Sequence, residues 1–183
     1  MVICCDVDQV LNNLTEATLE VFNERYVTSY TMEDMTDFNV ENILSNEEAD
    51  NVKAIFNSPD IWDKVRPLPG AQDGLQKLIN NGHLVYLVTN NCPDTYGQKV
   101  TWIKRYFPFV DSSKIVCMTD KWMLRADIMI EDCYANLIAK PYYDRILLDY
   151  PWNQSTKDYV YGIYRVSDWS EVLDVVNKLN EEE

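Results

Sequence analysis

Three short apolar runs in this chain each stop abruptly at hydrophilic residues. Val2-Ile3-Cys4-Cys5 meets Asp6-Val7-Asp8, Leu84-Val85-Tyr86-Leu87-Val88 meets Thr89, and Asp127-Ile128-Met129-Ile130 meets Glu131-Asp132. Runs that are apolar on both faces suit strands buried inside a mainly parallel sheet. An ionised carboxylate beside such a strand costs several kcal/mol unless it is matched. In open α/β sheets the ligand lies outside the carboxyl ends of the strands. The two carboxylates flanking Val7 therefore invite a divalent cation at that edge.

The segments between these runs read as helices. Asn13 can cap a helix to about Tyr26, with Leu14, Ala17, Val21 and Phe22 at helical spacing. Residues 28–66 are acidic, with short apolar groups and no convincing strand, and read as a small helical insertion. The chain re-enters the main body at Pro67-Leu68-Pro69-Gly70, where two prolines stiffen the turn and Gly70 frees it. A helix over 71–80 stops at Asn81-Gly82, strand 84–88 follows, and a further helix spans about Thr95 to Tyr106. Ile115-Val116-Cys117, residues 127–130 and Ile146-Leu147-Leu148 are the remaining strands expected, and Ser167 begins a last helix. At 183 residues, one α/β domain with helices on both faces of a Rossmann-like open sheet accounts for the chain. Strand order is not legible at this level.

Several classes are disfavoured. A net charge of -14 argues against a basic groove for a nucleic acid polymer. No apolar run approaches the ~20 residues of a membrane span, and no signal peptide is visible. Five cysteines without a CxxC pair fit reduced thiols in a cytoplasmic protein rather than disulfides or zinc. The acidic tail ending in Glu183 reads as solvated surface. The sole histidine, His83, precedes a strand at its amino end, away from the working edge, and is expected to be structural.

Asp6, Asp8, Thr89, Glu131 and Asp132 fall at strand ends, and Lys121 lies between the third and fourth strands within reach of them. Carboxylates, one ammonium and one hydroxyl suit oxygen-liganded Mg²⁺ with a phosphate. A carboxylate attacks a phosphate dianion poorly unless the phosphoryl charge is neutralised, which a metal and a lysine accomplish. A second carboxyl group can then pass a proton to the leaving oxygen and later take one from water.

In this order the residues resemble the haloacid-dehalogenase-type phosphatases, and more closely the 5'(3')-deoxyribonucleotidases of bacteria and phages. Four stretches carry the closer resemblance. They are Arg66-Pro67-Leu68-Pro69-Gly70-Ala71; Val88-Thr89-Asn90 with Lys99-Val100-Thr101-Trp102; Thr119-Asp120-Lys121 with Ala126 to Asp132; and Pro151-Trp152-Asn153 with Arg165-Val166-Ser167-Asp168-Trp169. The resemblance implies a core of residues 1–27 and 67–183 and a helical cap of residues 28–66. It implies Asp6 as nucleophile and metal ligand, Asp8 as acid and base with its backbone carbonyl on Mg²⁺, and Asp132 as the further metal ligand supported by Glu131. Thr89 would hold a phosphate oxygen and Lys121 would offset charge on phosphate and Asp6. Leu14, Ile61, Trp62 and Asn90 would face the substrate, a deoxyribonucleoside monophosphate. Such relatives are often dimers, but the sequence leaves the oligomeric state, monomer or homodimer, open.

The chain departs from that pattern at five places. Gln9 replaces a glycine, Asn90-Asn91 a Ser-Pro pair and Glu131 an aspartate; Leu14 stands for a phenylalanine and Ile61-Trp62-Asp63 for an aromatic-rich triplet. Trp62 is either a stacking surface for a base or part of the cap's own core. Trp102 is expected to pack and Lys99 to lie on the helix surface or support the phosphate side. Cys92, with no partner nearby, is expected to have no catalytic role. Two rival functions fit the same motifs: hydrolysis of another small phosphorylated metabolite, and phosphate or nucleotide binding without turnover.

Overall fold

In the computed structural model, six strands among the described residues form one sheet: β1 (Val2–Cys5), β2 (Leu84–Thr89), β3 (Ile115–Cys117), β4 (Ile128–Glu131), β5 (Asp144–Leu148) and β6 (Ile163–Val166). The structure describes residues 1–90, 95–139, 142–156 and 162–182; Asn91, Cys92 and Glu183, weighed above, lie outside them. The strand order is β3-β2-β1-β4-β5-β6, and every recorded pairing is parallel. Ile3 lies opposite Val85 on one side and Ile128 on the other. The chain builds outward from β1 in one direction and then in the other, so a topological switch point falls at the end of β1.

The two faces of the sheet are separated by alternation along the strands. Ile3, Cys5, Ile128, Ile130, Ile146 and Leu148 join the larger apolar cluster, while Cys4, Met129 and Leu147 join the smaller one. The larger cluster takes in side chains of α1 (Leu14–Tyr26), α3 (Ala71–Asn80), α4 (Tyr96–Tyr106) and α6 (Trp169–Glu182). The smaller is covered by α5 (Tyr134–Ile138) and neighbouring turns. Two elements were not expected from sequence. Helix α5 is one turn long, too short for a periodic signal, and β6 is a short strand interrupted by Arg165.

Residues 28–66 hold α2 (Asn46–Phe56) and three 3-10 segments, Met32–Asp34, Val40–Asn42 and Pro59–Asp63. Ser45 and Glu48 cap α2 reciprocally: the Ser45 hydroxyl accepts from the Glu48 amide, and the Glu48 carboxylate accepts from the Ser45 amide. The return at Pro67 is stitched to the start of α1, where the Asn13 side chain accepts from the Arg66 amide at 2.7 Å. Asn13 thus occupies the cap position of α1 without capping it. Asn12 Oδ1 accepts from the Leu14 amide at 3.1 Å and Gln9 Oε1 from the Thr15 amide at 2.8 Å. Likewise α6 is capped by Asp168, whose Oδ1 accepts from Ser170 and Glu171, and not by Ser167.

Trp169 anchors α6 against α3. Its Nε1 donates to the Val10 carbonyl at 2.8 Å, and a Cβ on Gly74 would come within 2.4 Å of its ring. An exposed Gly→Ala change in a helix gains up to ~1 kcal/mol. Gly74→Ala is expected to do the reverse and destabilise by about 1–3 kcal/mol through overpacking. Urea unfolding checks this; a gain in stability would mean the indole moves freely.

Candidate active site

Because β1 lies between β2 and β4, residues that end these three strands arrive side by side. Asp6 follows β1, its amide donating to the Ile130 carbonyl at 2.9 Å. Thr89 ends β2, Glu131 ends β4 and Asp132 is the next residue. Lys121 enters from the 3-10 turn Lys121–Met123. Its ammonium lies 2.8 Å from Asp6 Oδ1 and 2.5 Å from Glu131 Oε1. Carboxylate oxygens of Asp6, Glu131 and Asp132 lie within 4.8 Å of one another, and all three residues are buried.

Three carboxylates against one ammonium leave this cluster with excess negative charge. The pKa values record it. Burial, with Glu131 and Asp8 adding to it against the opposing pull of Lys121, pushes the Asp6 carboxyl up to about 7. Burial, then Glu131 and Asp6, push Asp132 well above the usual carboxylate range. Burial opposes the charge on Lys121, but Asp6 and Glu131 outweigh it and hold the ammonium above its ordinary value. A dication would relieve this imbalance, and the donor set is all oxygen, as a hard cation requires.

The oxygens are not equally available. Glu131 Oε1 accepts from Lys121 and from Asn136 at 3.0 Å, while Oε2 accepts from the Cys133 amide at 3.3 Å. The Asp132 carboxylate carries no recorded hydrogen bond or ion pair among the described residues. Asp6 and Asp132 are therefore the side chains free to ligate, with Glu131 behind them. The neighbouring Cys133 is held as a thiol, burial pushing it up to about 12.

Asp132 is positioned through its backbone. Its carbonyl accepts from Asn153 Nδ2 at 3.0 Å and Trp152 Nε1 at 3.3 Å. Asn153 is held in turn by Arg165, which donates to its side-chain and main-chain oxygens and pairs with Asp149. The unforeseen strand β6 supplies that arginine.

Asp8 faces another way. Asn12 Nδ2 donates to its Oδ1 at 3.1 Å, and Lys99 Nζ lies 2.5 Å from its Oδ2. Of the two positions expected for Lys99, helix surface or support of the phosphate side, the first is corrected: the residue is 1% exposed. A signal existed, since Lys99 lies three and four residues before Trp102 and Ile103, on the buried face of α4. Gln9, after Asp8, has φ 57, the left-handed region where glycine is at ease. Its side-chain bond to α1 helps hold it there.

Asp6, Asp8, Asn90, Lys121 and Asp132 line a cavity of about 410 Å³. The opposite wall comes from residues 28–66, including Met35, Phe38, Val52 and Phe56. Leu14, Ile61 and Trp62, expected at the substrate, do not line it. They are buried at 1%, 3% and 7% exposure, and the Trp62 ring packs 6.0 Å from that of Trp102. Thr89 is also fully buried, its hydroxyl accepting from Lys99 at 2.8 Å. His83 is buried before β2, at the opposite edge from the cluster.

The family model described as "5' nucleotidase, deoxy (Pyrimidine), cytosolic type C protein" matches residues 1–180. A 5'(3')-deoxyribonucleotidase of Clostridium acetobutylicum is 26% identical over 96% of this chain and 94% of its own. One of Bacillus subtilis is 28% identical over 93% and 95%. Among solved structures, a haloacid dehalogenase-like protein of Agrobacterium tumefaciens superposes with TM-score 0.66 at 15% identity, covering 98% of each chain. A HAD family hydrolase of Deinococcus radiodurans, with bound phosphate and sodium, gives TM-score 0.64 at 12% identity over 98% of this chain and 96% of that one. These two likenesses concern the fold.

Proposed function

Since the chain belongs to the 5' nucleotidase, deoxy (pyrimidine), cytosolic type C family, we propose that it is a Mg²⁺-dependent phosphomonoesterase acting on deoxyribonucleoside monophosphates. One observation carries the reading: the Lys121 ammonium sits between Asp6 and Glu131, beside Asp132, at a cavity whose wall from residues 28–66 mixes apolar Met35, Phe38, Val52 and Phe56 with charged Asp37, Glu41 and Lys53.

Asp6 and Asp132, with the Asp8 carbonyl, would hold Mg²⁺, which supplies charge neutralisation and alignment of the phosphoryl group. The free Asp6 oxygen attacks phosphorus and forms an aspartyl phosphate while Lys121 holds the other oxygen and offsets the phosphate charge. Asp8 protonates the leaving nucleoside oxygen, then takes a proton from the water that cleaves the intermediate. Asn90 meets a phosphate oxygen from the rim, while the fully buried Thr89 backs the site, its hydroxyl accepting from Lys99. Residues 28–66 serve as the cap that excludes water and faces the nucleoside with Met35, Phe38 and Phe56. Among the described residues no helix is long and apolar enough to cross a membrane, and a small nucleotide is the partner this cavity suits.

A panel of phosphomonoesters assayed with Mg²⁺ tests the reading. Deoxyribonucleoside monophosphates are expected to give the highest kcat/KM, and EDTA to abolish turnover until Mg²⁺ is restored. Equal efficiency on small sugar phosphates would leave the chemistry standing and remove the nucleotide assignment.

A further inference from the structure

Lys99 reaches from α4 to the carboxyl ends of β1 and β2. Its ammonium donates to Asp8 Oδ2 at 2.5 Å, Thr89 Oγ1 at 2.8 Å and the Asn90 carbonyl at 3.4 Å. Three donors meet three acceptors, the full capacity of a lysine. The Trp62 ring, 5.6 Å from the ammonium, closes the side facing residues 28–66. Burying an ammonium costs several kcal/mol unless it is paired and hydrogen-bonded. Charge pairing alone would be met as well by an exposed lysine, so burial at 1% exposure gains geometry instead. Asp8 is gripped at both oxygens, by Asn12 on one and Lys99 on the other.

We propose that Lys99 is a positioning residue that fixes the Asp8 carboxyl for both proton transfers. This rests on the mechanism above. In the first step the Asp6–phosphorus bond forms, the bond to the leaving oxygen breaks, and that oxygen takes the Asp8 proton. In the second, water oxygen bonds phosphorus, the Asp6–phosphorus bond breaks, and the Asp8 carboxylate takes the water proton. Both transfers occur at the same carboxyl, which must stay within hydrogen-bond reach of one oxygen position. Lys99 does not touch that oxygen; it acts through Asp8. Trp62, weighed above as a base platform or as part of the cap's own core, is buried and walls in this lysine.

Lys99→Met and Lys99→Arg test the inference. Lys99→Met is expected to lower kcat on a deoxyribonucleoside monophosphate about 10²-fold with KM within about twofold, the cost of ~1 Å of misplacement. Lys99→Arg should recover part of the loss. On p-nitrophenyl phosphate, whose leaving group departs without a proton, release of p-nitrophenolate in a single turnover should fall far less. In an Asp8→Asn background Lys99→Met should add no further loss. An equal loss in that background, or a raised KM with kcat kept, would overturn the inference by placing Lys99 on the phosphate. A crystal structure of Lys99→Met is the measurement independent of activity: Asp8 should leave its present position, and an unmoved Asp8 refutes the inference. Absence of turnover in the wild-type protein would instead remove the phosphatase reading, and the same crystal structure would still decide what Lys99 does.

Discussion

Asp6→Asn is expected to reduce turnover on the order of 10³-fold or more, since the amide cannot form the covalent intermediate. Binding of a nucleoside monophosphate, followed by calorimetry, should remain measurable. The variant also reports on the electrostatics of the cluster. Burial holds the Asp6 carboxyl at about 7 against an ordinary 3.8, so the metal-free folded protein binds more protons than the unfolded chain between those values. This contribution to stability is fully present below the unfolded pKa and is lost as pH rises through about 7. Asp6→Asn has no such proton to lose. Its stability relative to wild type should therefore rise between pH 4 and pH 8 in EDTA. Near-full activity would remove Asp6 as nucleophile, and a flat stability difference would mean that its carboxyl ionises as freely in the fold as outside it.

Lys121→Met should lose both turnover and stability. The lysine is 3% exposed and is the counter-charge to Asp6 and Glu131. Removing one partner of a buried ionic cluster typically costs about 3–5 kcal/mol. At neutral pH and without metal, denaturant unfolding should show a loss of that order. Added Mg²⁺ should restore part of it, because a cation among Asp6, Glu131 and Asp132 supplies the missing charge. Turnover should fall on the order of 10²–10³-fold, as for loss of a donor aimed at developing charge. A wild-type denaturation midpoint would show that Lys121 is not what neutralises these carboxylates.

Much of the sheet was legible because a doubly buried parallel strand must be apolar on both faces, and runs such as Val2 to Cys5 have few other uses. Helix α3 was legible to the residue, since Gly70 and Asn81-Gly82 punctuate it. Helix α5 and β6 were not, being too short for their periodicity to stand out. At the site, Asp6, Lys121, Glu131 and Asp132 were legible because hydrophilic side chains at the ends of core strands have to be matched by something. Leu14, Ile61 and Trp62 were placed by analogy of position. In the fold all three fill the interior, and Met35, Phe38 and Phe56 take the cavity wall.

What this chain's residues determine unaided is local: which runs must be buried, where helices begin and end, and which hydrophilic side chains stand at the ends of core strands. Adjacency was decided only in three dimensions. The strand order sets β1 between β2 and β4, and that alone brings Asp6 within reach of residues more than a hundred positions away. The same holds for Lys99, which the sequence leaves between helix surface and phosphate-side support until the fold turns its face of α4 toward Asp8. The reason is physical. Apolar periodicity and backbone preference can be read from near neighbours along the chain, whereas the energy of a buried charge depends on which distant groups the packed core brings against it.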